Sequence, residues 1–363
     1  MKLATVTFHC AYNYGAVLQA YALVNALQKL GHDTCVLDYW PAKRLAAAKS
    51  VWNQKTGARA LVMNGIIAAK YFPIMKKRKR FDSFRSDMLS VSVNRYHNVD
   101  EILESQETFD AYITGSDQVW NPDTGIDPVY FLQFAKALKA KSVAYAPSIG
   151  LPKIQDKYKS QMATLISKVD ALSSREHRGA EIINELTGRD AKVVVDPVFL
   201  LSKEDWAEVV KPLALPDKYI LVYAVRRRSY MEKSINKLKK ELGLPVVLIV
   251  GSNPAARGFI NADYVMWDAG PQEFVSMFSN AAYVCTNSFH GTAFSLIFEK
   301  PFLTFPHTNG DSRVSSILKR ANMEKNIVRE GDPLRTEFNA FEGSGLLDKE
   351  INASLDYLKG SLN

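Results

Sequence analysis

The chain has few cysteines and no long apolar run. Its three cysteines among 363 residues, Cys10, Cys35 and Cys285, lie in or beside apolar segments typical of strands and show no metal-ligand spacing. Neither a disulfide framework nor a zinc site is therefore expected. No stretch approaches the roughly 20 apolar residues of a membrane span, and no signal-peptide pattern precedes the first apolar run. These absences predict a soluble, cytoplasmic protein without a bound metal.

The turn after the first predicted strand carries one glycine rather than three. Leu3 to Phe8 reads as a strand and Val17 to Leu30 as a helix, with Gly15 between them. A dinucleotide-binding turn needs three spaced glycines, so an NAD cofactor is not indicated. Asn13 either caps this helix or binds a ligand together with Gln19, and the residues alone leave both readings open.

A histidine lies at a second strand-turn-helix junction near the other end of the chain. The apolar run that ends at Cys285 is followed by Asn287-Ser288-Phe289-His290-Gly291, and apolar residues then recur at helical spacing. A helix N-terminus favours an anion through its unpaired N–H groups and its dipole, and Gly291 allows close approach. The pattern predicts an anionic substrate beside a proton-transfer group, His290. The alternative is that Ser288 only caps the helix and His290 fills a gap under the loop.

Short polar residues also follow the strand from Ala111 to Thr114. Such residues at the carboxyl edge of a parallel sheet lie where open α/β folds bind ligands. Asp117, Gln118 and Asn121 suit sugar hydroxyls, and the indole of Trp120 suits an apolar ring face. Core packing is the alternative for Trp120, since tryptophan is highly buried on average.

Arginines mark a third candidate binding element. Arg226, Arg227 and Arg228 directly follow the predicted strand from Tyr219 to Val225. The planar guanidinium fork matches carboxylate and phosphate groups, so we expect at least one of the three, Arg226 first, to bind an anion. Arg313 faces either the same cleft or the solvent. Arg175 either binds an anion or pairs with Glu176 or Asp196.

Length and the order of elements predict an α/β protein with two Rossmann-like domains, whose parallel sheets face a cleft. We expect one domain over residues 1–198 with an insert over 41–100, and a second domain over 199–335. The segment 336–363 is expected to form a helix that crosses back to the first domain.

The insert carries an apolar stretch, Leu61 to Ile74, followed by five basic residues, Lys76 to Arg80. Together with a net charge of +8, this pattern predicts peripheral contact with an anionic membrane at its inner face. A solvated helix face is the alternative. Nucleic acid is not an expected partner, because no aromatic platform is interleaved with the basic run.

Five motifs in register resemble the polysaccharide pyruvyl transferase family over nearly the whole chain. They are Asn13-Tyr14-Gly15-Ala16 with Gln19, Gly115-Ser116-Asp117-Gln118-Val119-Trp120-Asn121, Ser174-Arg175-Glu176, Asp196-Pro197 and Asn287-Ser288-Phe289-His290-Gly291. The resemblance implies a fold like that of GT-B glycosyltransferases. It also implies transfer of pyruvate from phosphoenolpyruvate to the hydroxyls of a sugar or lipid-linked glycan during polysaccharide biosynthesis, with His290 as general acid or base and arginines holding the donor.

The chain departs from the family at one motif. Many members carry Arg-Leu-His-Gly where this chain has Ser288-Phe289-His290-Gly291. Arg226 or Arg313 must then supply the missing positive charge. The predicted donor-binding residues are accordingly Arg226, Arg313, Asn287, Ser288, Phe289 and Gly291, and the predicted acceptor-binding residues are Asn13, Tyr14, Gln19, Asp117, Gln118, Trp120 and Asn121.

Ketal formation agrees with this set of residues and needs no cofactor besides the donor substrate. A histidine can protonate the donor, while arginines and a helix N-terminus hold its phosphate and carboxylate. Two other functions remain open. A GT-B glycosyltransferase that uses a nucleotide sugar would place a carboxylate such as Asp268 or Glu273 on the ribose. A non-catalytic sugar-binding protein would not need His290.

Overall fold

The structure is a computed structural model that describes residues 1–42, 57–252, 260–306, 312–333, 345 and 347–363. Residues 43–56 of the insert, and residues 336–344 and 346 of the C-terminal segment 336–363, therefore lie outside the described residues.

The first half of the chain builds one parallel sheet whose strands are largely buried except for the exposed edge strand β3. Its five strands are ordered β3-β2-β1-β4-β5. Their bounds are β1 Lys2–Val6, β2 Asp33–Tyr39, β3 Val91–Tyr96, β4 Ala111–Thr114 and β5 Lys141–Ala144. The flanking helices are α1 Tyr14–Lys29, α2 Ala58–Ala69, α3 Tyr71–Met88, α4 Val99–Leu103, α5 Asp156–Ser167 and α6 His177–Thr187. A short ladder pairs β6 Ser173–Ser174 with β7 Lys192–Val193.

The second half repeats this plan. Its parallel sheet has the order β10-β9-β8-β11-β12. The strands are β8 Ile220–Ala224, β9 Val246–Val250, β10 Tyr264–Met266, β11 Tyr283–Thr286 and β12 Phe302–Thr304. The helices are α7 Lys203–Ala207, α8 Ser229–Leu242, α9 Pro271–Asn280, α10 Phe289–Ile297, α11 Ser312–Arg320 and α12 Asp348–Leu362, and four 3-10 turns span Pro122–Thr124, Pro128–Phe131, Pro197–Leu200 and Glu324–Asn326.

An apolar core joins the two halves. The ring of Tyr14 at the start of α1 stacks on Phe274 of α9, with centroids 4.5 Å apart. The Tyr14 hydroxyl donates to the carbonyl of Ala269. At the end of the chain, α12 returns to the first sheet, where the hydroxyl of Tyr357 donates to the carbonyl of Ala144 at 2.9 Å. The two sheets are thus held in one arrangement by buried contacts.

The basic run on α3 mostly contacts the second half of the protein. Lys76 lies 2.9 Å from Asp268, and Arg80 pairs with both Asp268 and Glu273 at 3.3 Å. The ammonium of Lys77 is buried and donates to the carbonyl of Val250 at 2.7 Å. A fully solvated helix face is therefore the wrong interpretation of this run. None of the helices in the described ranges is long and apolar enough to cross a membrane.

Candidate active site

The candidate site lies where the strand order of both sheets reverses. In the first sheet, β2 and β3 are added on one side of β1, and β4 and β5 are added on its other side. In the second sheet, β9 and β10 lie on one side of β8, and β11 and β12 lie on the other. Ligands of open α/β sheets bind beyond the carboxyl ends of strands at such points. Asn13 follows β1, Asp117 follows β4, Arg226 follows β8 and His290 follows β11, and all four line one pocket of about 250 Å³.

His290 reaches this pocket from the first turn of α10. Ser288 caps the helix, its hydroxyl accepting from the backbone N–H of Gly291 at 3.4 Å. A Cβ on Gly291 would lie 2.1 Å from Thr286 Oγ1, so only glycine lets the helix begin directly after β11. Gly291 thus shapes the turn from behind the pocket, while His290 is 8% exposed beside it.

A buried ionic cluster lies behind the imidazole. Asp196 Oδ2 accepts from Arg175 Nη1 at 2.6 Å and from the hydroxyl of Ser116 at 2.8 Å. His290 Nε2 lies 3.7 Å from the same oxygen, which is beyond hydrogen-bond distance. Burial lowers the pKa of His290, although the negative charge of Asp196 opposes that shift. The free protein therefore favours the neutral imidazole near pH 7.

Arg175 pairs with Asp196 and still has unused donors. Its Nε and Nη2 atoms are buried without a hydrogen-bond partner among the described residues. Glu176 Oε2 lies 3.8 Å from Nε, too far for a hydrogen bond. The guanidinium carbon lies 4.3 Å from the ring centroid of Phe289, within the range of a cation–π contact. Since Arg175 lines the pocket, the pairing and anion-binding readings of this residue are compatible.

Arg226 and Arg313 line the same pocket, whereas Arg227 and Arg228 do not. The side chain of Asn287 fixes the turn that presents Arg226. Its Oδ1 accepts from Val225 N at 2.8 Å, and its Nδ2 donates to the carbonyl of Arg226 at 2.6 Å. Asn287 therefore positions Arg226 at the pocket. The polar side-chain atoms of Asn287 are themselves hydrogen-bonded to the backbone. Three arginines and one aspartate among the lining residues leave the pocket positively charged.

The first half supplies the opposite wall. Asp117 has a φ of +69°, a left-handed conformation that aspartate tolerates better than most residues. Gln118 lines the pocket beside it. Asn121 lies one layer behind, where its Nδ2 donates to Gln118 Oε1 at 2.7 Å. Asn13, Asp117 and Gln118 thus share a wall that faces His290, and Asn121 orients Gln118.

Three predicted acceptor ligands are core residues instead. Trp120 is 1% exposed and stacks on Phe131, with its indole N–H donating to the carbonyl of Tyr130. Gln19 is fully buried and donates to Thr7 Oγ1. Tyr14 packs in the core between the halves. The prediction that these side chains contact the acceptor is wrong. Each side chain is buried by packing, and each donates its hydrogen bond to a group inside the protein.

The carboxylates expected of a nucleotide-sugar enzyme are also engaged. Asp268 pairs with Lys76 and Arg80. Glu273 Oε2 accepts from the N–H of Gly270 at the start of α9 and pairs with Arg80. Neither side chain lines the pocket, so nothing in this arrangement favours ribose binding by these two residues.

A larger cavity of about 510 Å³ lies elsewhere, between α7, α10 and α12. Its lining includes Lys203, Asp205 and Glu299, all of which are solvent-accessible, and it contains no histidine or arginine. The smaller pocket is the better candidate because it gathers buried titratable groups from both halves.

The sequence offered Asp196 as one partner of Arg175, and the structure confirms that pair. What the sequence did not show is that the pair lies directly behind His290. The one available signal was the position of both motifs at the ends of short apolar runs, which places them at a sheet edge.

Known proteins resemble this chain in two ways. The family model for polysaccharide pyruvyl transferase matches residues 13–309. The solved UDP-GlcNAc 2-epimerase from Methanocaldococcus jannaschii superposes with a TM-score of 0.54 at 12% identity, over 99% of this chain and all 100% of that one. MnaA of S. aureus with UDP gives 0.52 at 13% identity, over 99% and 97% of the two chains. A search among curated proteins gives no significant match. The structural likenesses show the fold, and the predicted GT-B-like pair of Rossmann-type sheets is confirmed.

Proposed function

This chain belongs to the polysaccharide pyruvyl transferase family, and we propose that it transfers pyruvate from phosphoenolpyruvate to two hydroxyls of a sugar as a ketal. The observation that supports this donor best is a positively charged pocket in which a buried histidine and a buried arginine with two unused donors lie side by side. A small, multiply charged enol ester needs both kinds of group.

The second half and Arg175 hold the donor in this proposal. Phosphate and carboxylate are each recognised by a guanidinium fork or by the N–H groups of a helix N-terminus. Arg175, Arg226 and the first turn of α10 supply these around one pocket. Arg226, with Arg313 as a helper, takes over the positive charge that the family's Arg-Leu-His-Gly motif provides. Arg175, which lies against the ring of Phe289, adds its unused donors.

The chemistry then follows from the position of His290. Protonation of C3 of the donor makes C2 electrophilic, and one sugar hydroxyl adds to C2 while losing its proton. Departure of inorganic phosphate and addition of the second hydroxyl at C2, again with loss of its proton, close the ketal. His290 is the residue of suitable acidity for the C3 proton, and Asn13, Asp117 and Gln118 form the wall on which the acceptor would lie.

The neutral state favoured for free His290 is consistent with this acid role. Burial lowers its pKa in the empty pocket. A donor that brings a phosphate and a carboxylate into the pocket would raise that pKa, because nearby negative charge stabilises the imidazolium. Proton uptake would thus accompany donor binding and load the acid when it is needed.

Phosphate release tests the proposal. The purified protein is incubated with phosphoenolpyruvate and a panel of glycans, and inorganic phosphate and glycan mass are both measured. The expected result is equimolar phosphate and a glycan with an added ketal. In His290→Gln both products should form at least about a hundredfold more slowly. Transfer from nucleotide sugars, with no consumption of phosphoenolpyruvate, would instead establish the glycosyltransferase alternative.

A finer part of the proposal is peripheral membrane contact through the insert. Lys76, Lys77 and Arg80 of the basic run contact the second half of the protein. The better surface for membrane contact is therefore the apolar one on α2 and α3. There Leu61, Val62 and Phe72 are 74%, 65% and 84% exposed. Lys79 is exposed on the same helix as Phe72. Co-sedimentation with anionic liposomes should be weakened by Phe72→Ser and by salt, and full recovery in the supernatant would contradict membrane contact.

A further inference from the structure

An arginine-rich cluster outside the pocket extends along the carboxyl edge of the first sheet. Tyr12 follows β1 and directly precedes the pocket residue Asn13. Trp40 follows β2, and Arg95 lies near the end of β3. Helix α3 brings Arg85 over these positions. The cluster therefore lies on the acceptor side of the site, beside the pocket and within the same half of the protein as Asp117.

The guanidinium groups of the cluster are held by two aromatic rings. Arg85 has its guanidinium carbon 4.9 Å from the ring centroid of Tyr12 and 5.7 Å from that of Trp40. Arg95 lies 4.6 Å from the Trp40 ring, and Arg78 lies 4.7 Å from the Tyr12 ring. A guanidinium stacked on a ring face leaves its N–H edge available for hydrogen bonds. Arg85 thus lies near both rings, whereas Arg95 and Arg78 lie near one ring each.

Acidic neighbours use only some of these donors. Arg85 Nη2 donates to Asp82, whereas its Nη1 is buried without a hydrogen-bond partner among the described residues. The side chain of Arg85 is 9% exposed. Arg95 Nε donates to Asp38 at 2.7 Å, and its side chain is 54% exposed. An unpaired buried guanidinium N–H is costly, and an anion is the partner that best satisfies it.

The carboxylates of the cluster are also shared with other donors. Asp82 accepts from the hydroxyl of Tyr12 at 3.1 Å. Asp38 accepts from the ring nitrogen of His9 at 2.9 Å and from the indole of Trp40. Asp38 and Asp82 thus divide their acceptor oxygens among several donors, and neither satisfies Nη1 of Arg85.

We propose that Tyr12, Arg85, Trp40 and Arg95 form a second anion subsite that binds the phosphate or diphosphate group of a phosphorylated acceptor sugar. The inference rests on the proposed pyruvyl transfer, since it assigns the chemical class of that reaction's acceptor. The subsite lies outside the pocket that holds the donor's own phosphate and carboxylate. The acceptor would therefore extend from Asn13 to the rings of Tyr12 and Trp40, with its sugar hydroxyls toward His290. A diphosphate linked to a prenyl chain and one linked to a nucleoside present the same group.

Calorimetric binding of inorganic pyrophosphate tests the subsite without knowledge of the acceptor. Arg95→Gln and Arg85→Lys should each weaken pyrophosphate binding at least about tenfold, because each removes a fork donor from the subsite. Arg329→Gln, at an exposed arginine of the second half, should change it less than about twofold. Thermal melting confirms that the variants are folded. Unchanged pyrophosphate affinity in Arg95→Gln overturns the subsite.

Phosphoenolpyruvate binding by the same variants separates this inference from the proposed function. Arg226→Ala should weaken it and Arg95→Gln should leave it unchanged. If no variant or wild-type protein binds phosphoenolpyruvate, the proposed donor is wrong while the pyrophosphate result still decides the subsite. With an acceptor in hand, the prenyl-diphosphate, uridine-diphosphate and unphosphorylated forms of one sugar identify the source. A KM preference for a phosphorylated form that Arg95→Gln removes supports the subsite, and equal KM values for all three contradict it.

Discussion

Gly15 leaves the space that the imidazole of His290 occupies. A Cβ on Gly15 would lie 2.0 Å from His290 Nδ1 and 2.3 Å from Cε1. Gly15 belongs to the first turn of α1 in the first half, and His290 belongs to the first turn of α10 in the second. The proposed acid is therefore positioned by contact between the two halves.

Gly15→Ala should displace the imidazole with little effect on folding. A misplacement of about 1 Å at a reacting group can cost about 10²-fold in rate, and we expect a loss of kcat of that order. Gly65→Ala is the matched control, because it also adds a Cβ within a helix but meets no atom within 4 Å. Steady-state kinetics with melting curves check the prediction. Near-normal turnover in Gly15→Ala would show that the position of His290 is not critical.

His290→Gln should reduce turnover by roughly 10²–10⁴-fold, the usual contribution of a general acid or base. Glutamine keeps hydrogen bonding and approximate size, so the fold should be retained. If His290→Gln keeps near-normal turnover, the acid lies elsewhere.

The pH profile should also carry the signature of His290. An acid must be protonated, and burial lowers the pKa of His290 in the free protein. The kcat/KM for the donor should therefore fall as pH rises through that lowered value. In the complex, donor charge raises the pKa, so the corresponding limb of kcat should lie at higher pH. Coincident limbs in the two profiles would argue against proton uptake on donor binding.

Arg226→Ala should raise the donor KM about tenfold to a hundredfold, which corresponds to about 1.5–3 kcal/mol for a charged hydrogen-bonded contact. The adjacent Arg227→Ala is its control. Arg227 is also exposed but donates to Glu232 at 2.9 Å and does not line the pocket. Initial rates over a range of phosphoenolpyruvate concentrations give both constants. An equal effect of the two substitutions would indicate general electrostatics and no specific contact.

Arg175→Lys should separate charge from geometry. Lysine keeps the positive charge beside buried Asp196, so the cluster stays neutralised, but it lacks the fork and the stacking on Phe289. We expect a loss of donor affinity of at least about tenfold with a smaller change in thermal stability. Loss of folding without a specific loss of donor affinity, seen in the fraction that remains folded, would assign Arg175 to structure alone.

The fold could be predicted from the sequence because the inner strands of both sheets are buried on two faces. Strands such as β8 and β9 read as continuous apolar runs, and each is followed by polar or glycine residues at its carboxyl end. That pattern fixes which edge of each sheet carries Asp117, Arg226 and His290. The candidate site at this edge follows from topology alone.

Side-chain roles within the motifs could not be predicted in the same way. Trp120 and Gln19 belong to motifs at the sheet edge, but whether a side chain points into the pocket or into the core depends on packing partners that are distant in sequence. Trp120 stacks on Phe131, and Gln19 bonds to Thr7. The Asp196–Arg175 pair was one of the alternatives open for Arg175, but its place behind His290 becomes visible only when the strand ends of both halves are brought together.

The basic run was the least predictable feature, since its chemistry depends on what α3 packs against. Lys77 is buried, its ammonium donates to the carbonyl of Val250 at 2.7 Å, and it lies 4.6 Å from the ring centroid of Tyr14. Burial lowers the pKa of Lys77 to about 7. This lysine contacts the second half at the point where Tyr14 enters the shared core, so its protonation is linked to the stability of the folded chain.

Lys77→Met should therefore change how stability depends on pH. An unfolded lysine has a pKa of about 10.4, so between about pH 7 and 10 the unfolded chain binds a proton that folded Lys77 releases. Because of Lys77, the free energy of unfolding of the wild type should increase as pH rises through that window. The increase should be up to about 1.4 kcal/mol per pH unit. Below about pH 7 Lys77 is protonated in both the folded and the unfolded state, so this increase in the free energy of unfolding is lost.

Methionine does not titrate. Urea unfolding at pH 7, 8 and 9 should therefore show that Lys77→Met is more stable than the wild type by a margin that shrinks with rising pH. Lys79→Met, at an exposed position of the same helix, should run parallel to the wild type, and parallel curves for Lys77→Met as well would mean that Lys77 stays charged in the folded protein.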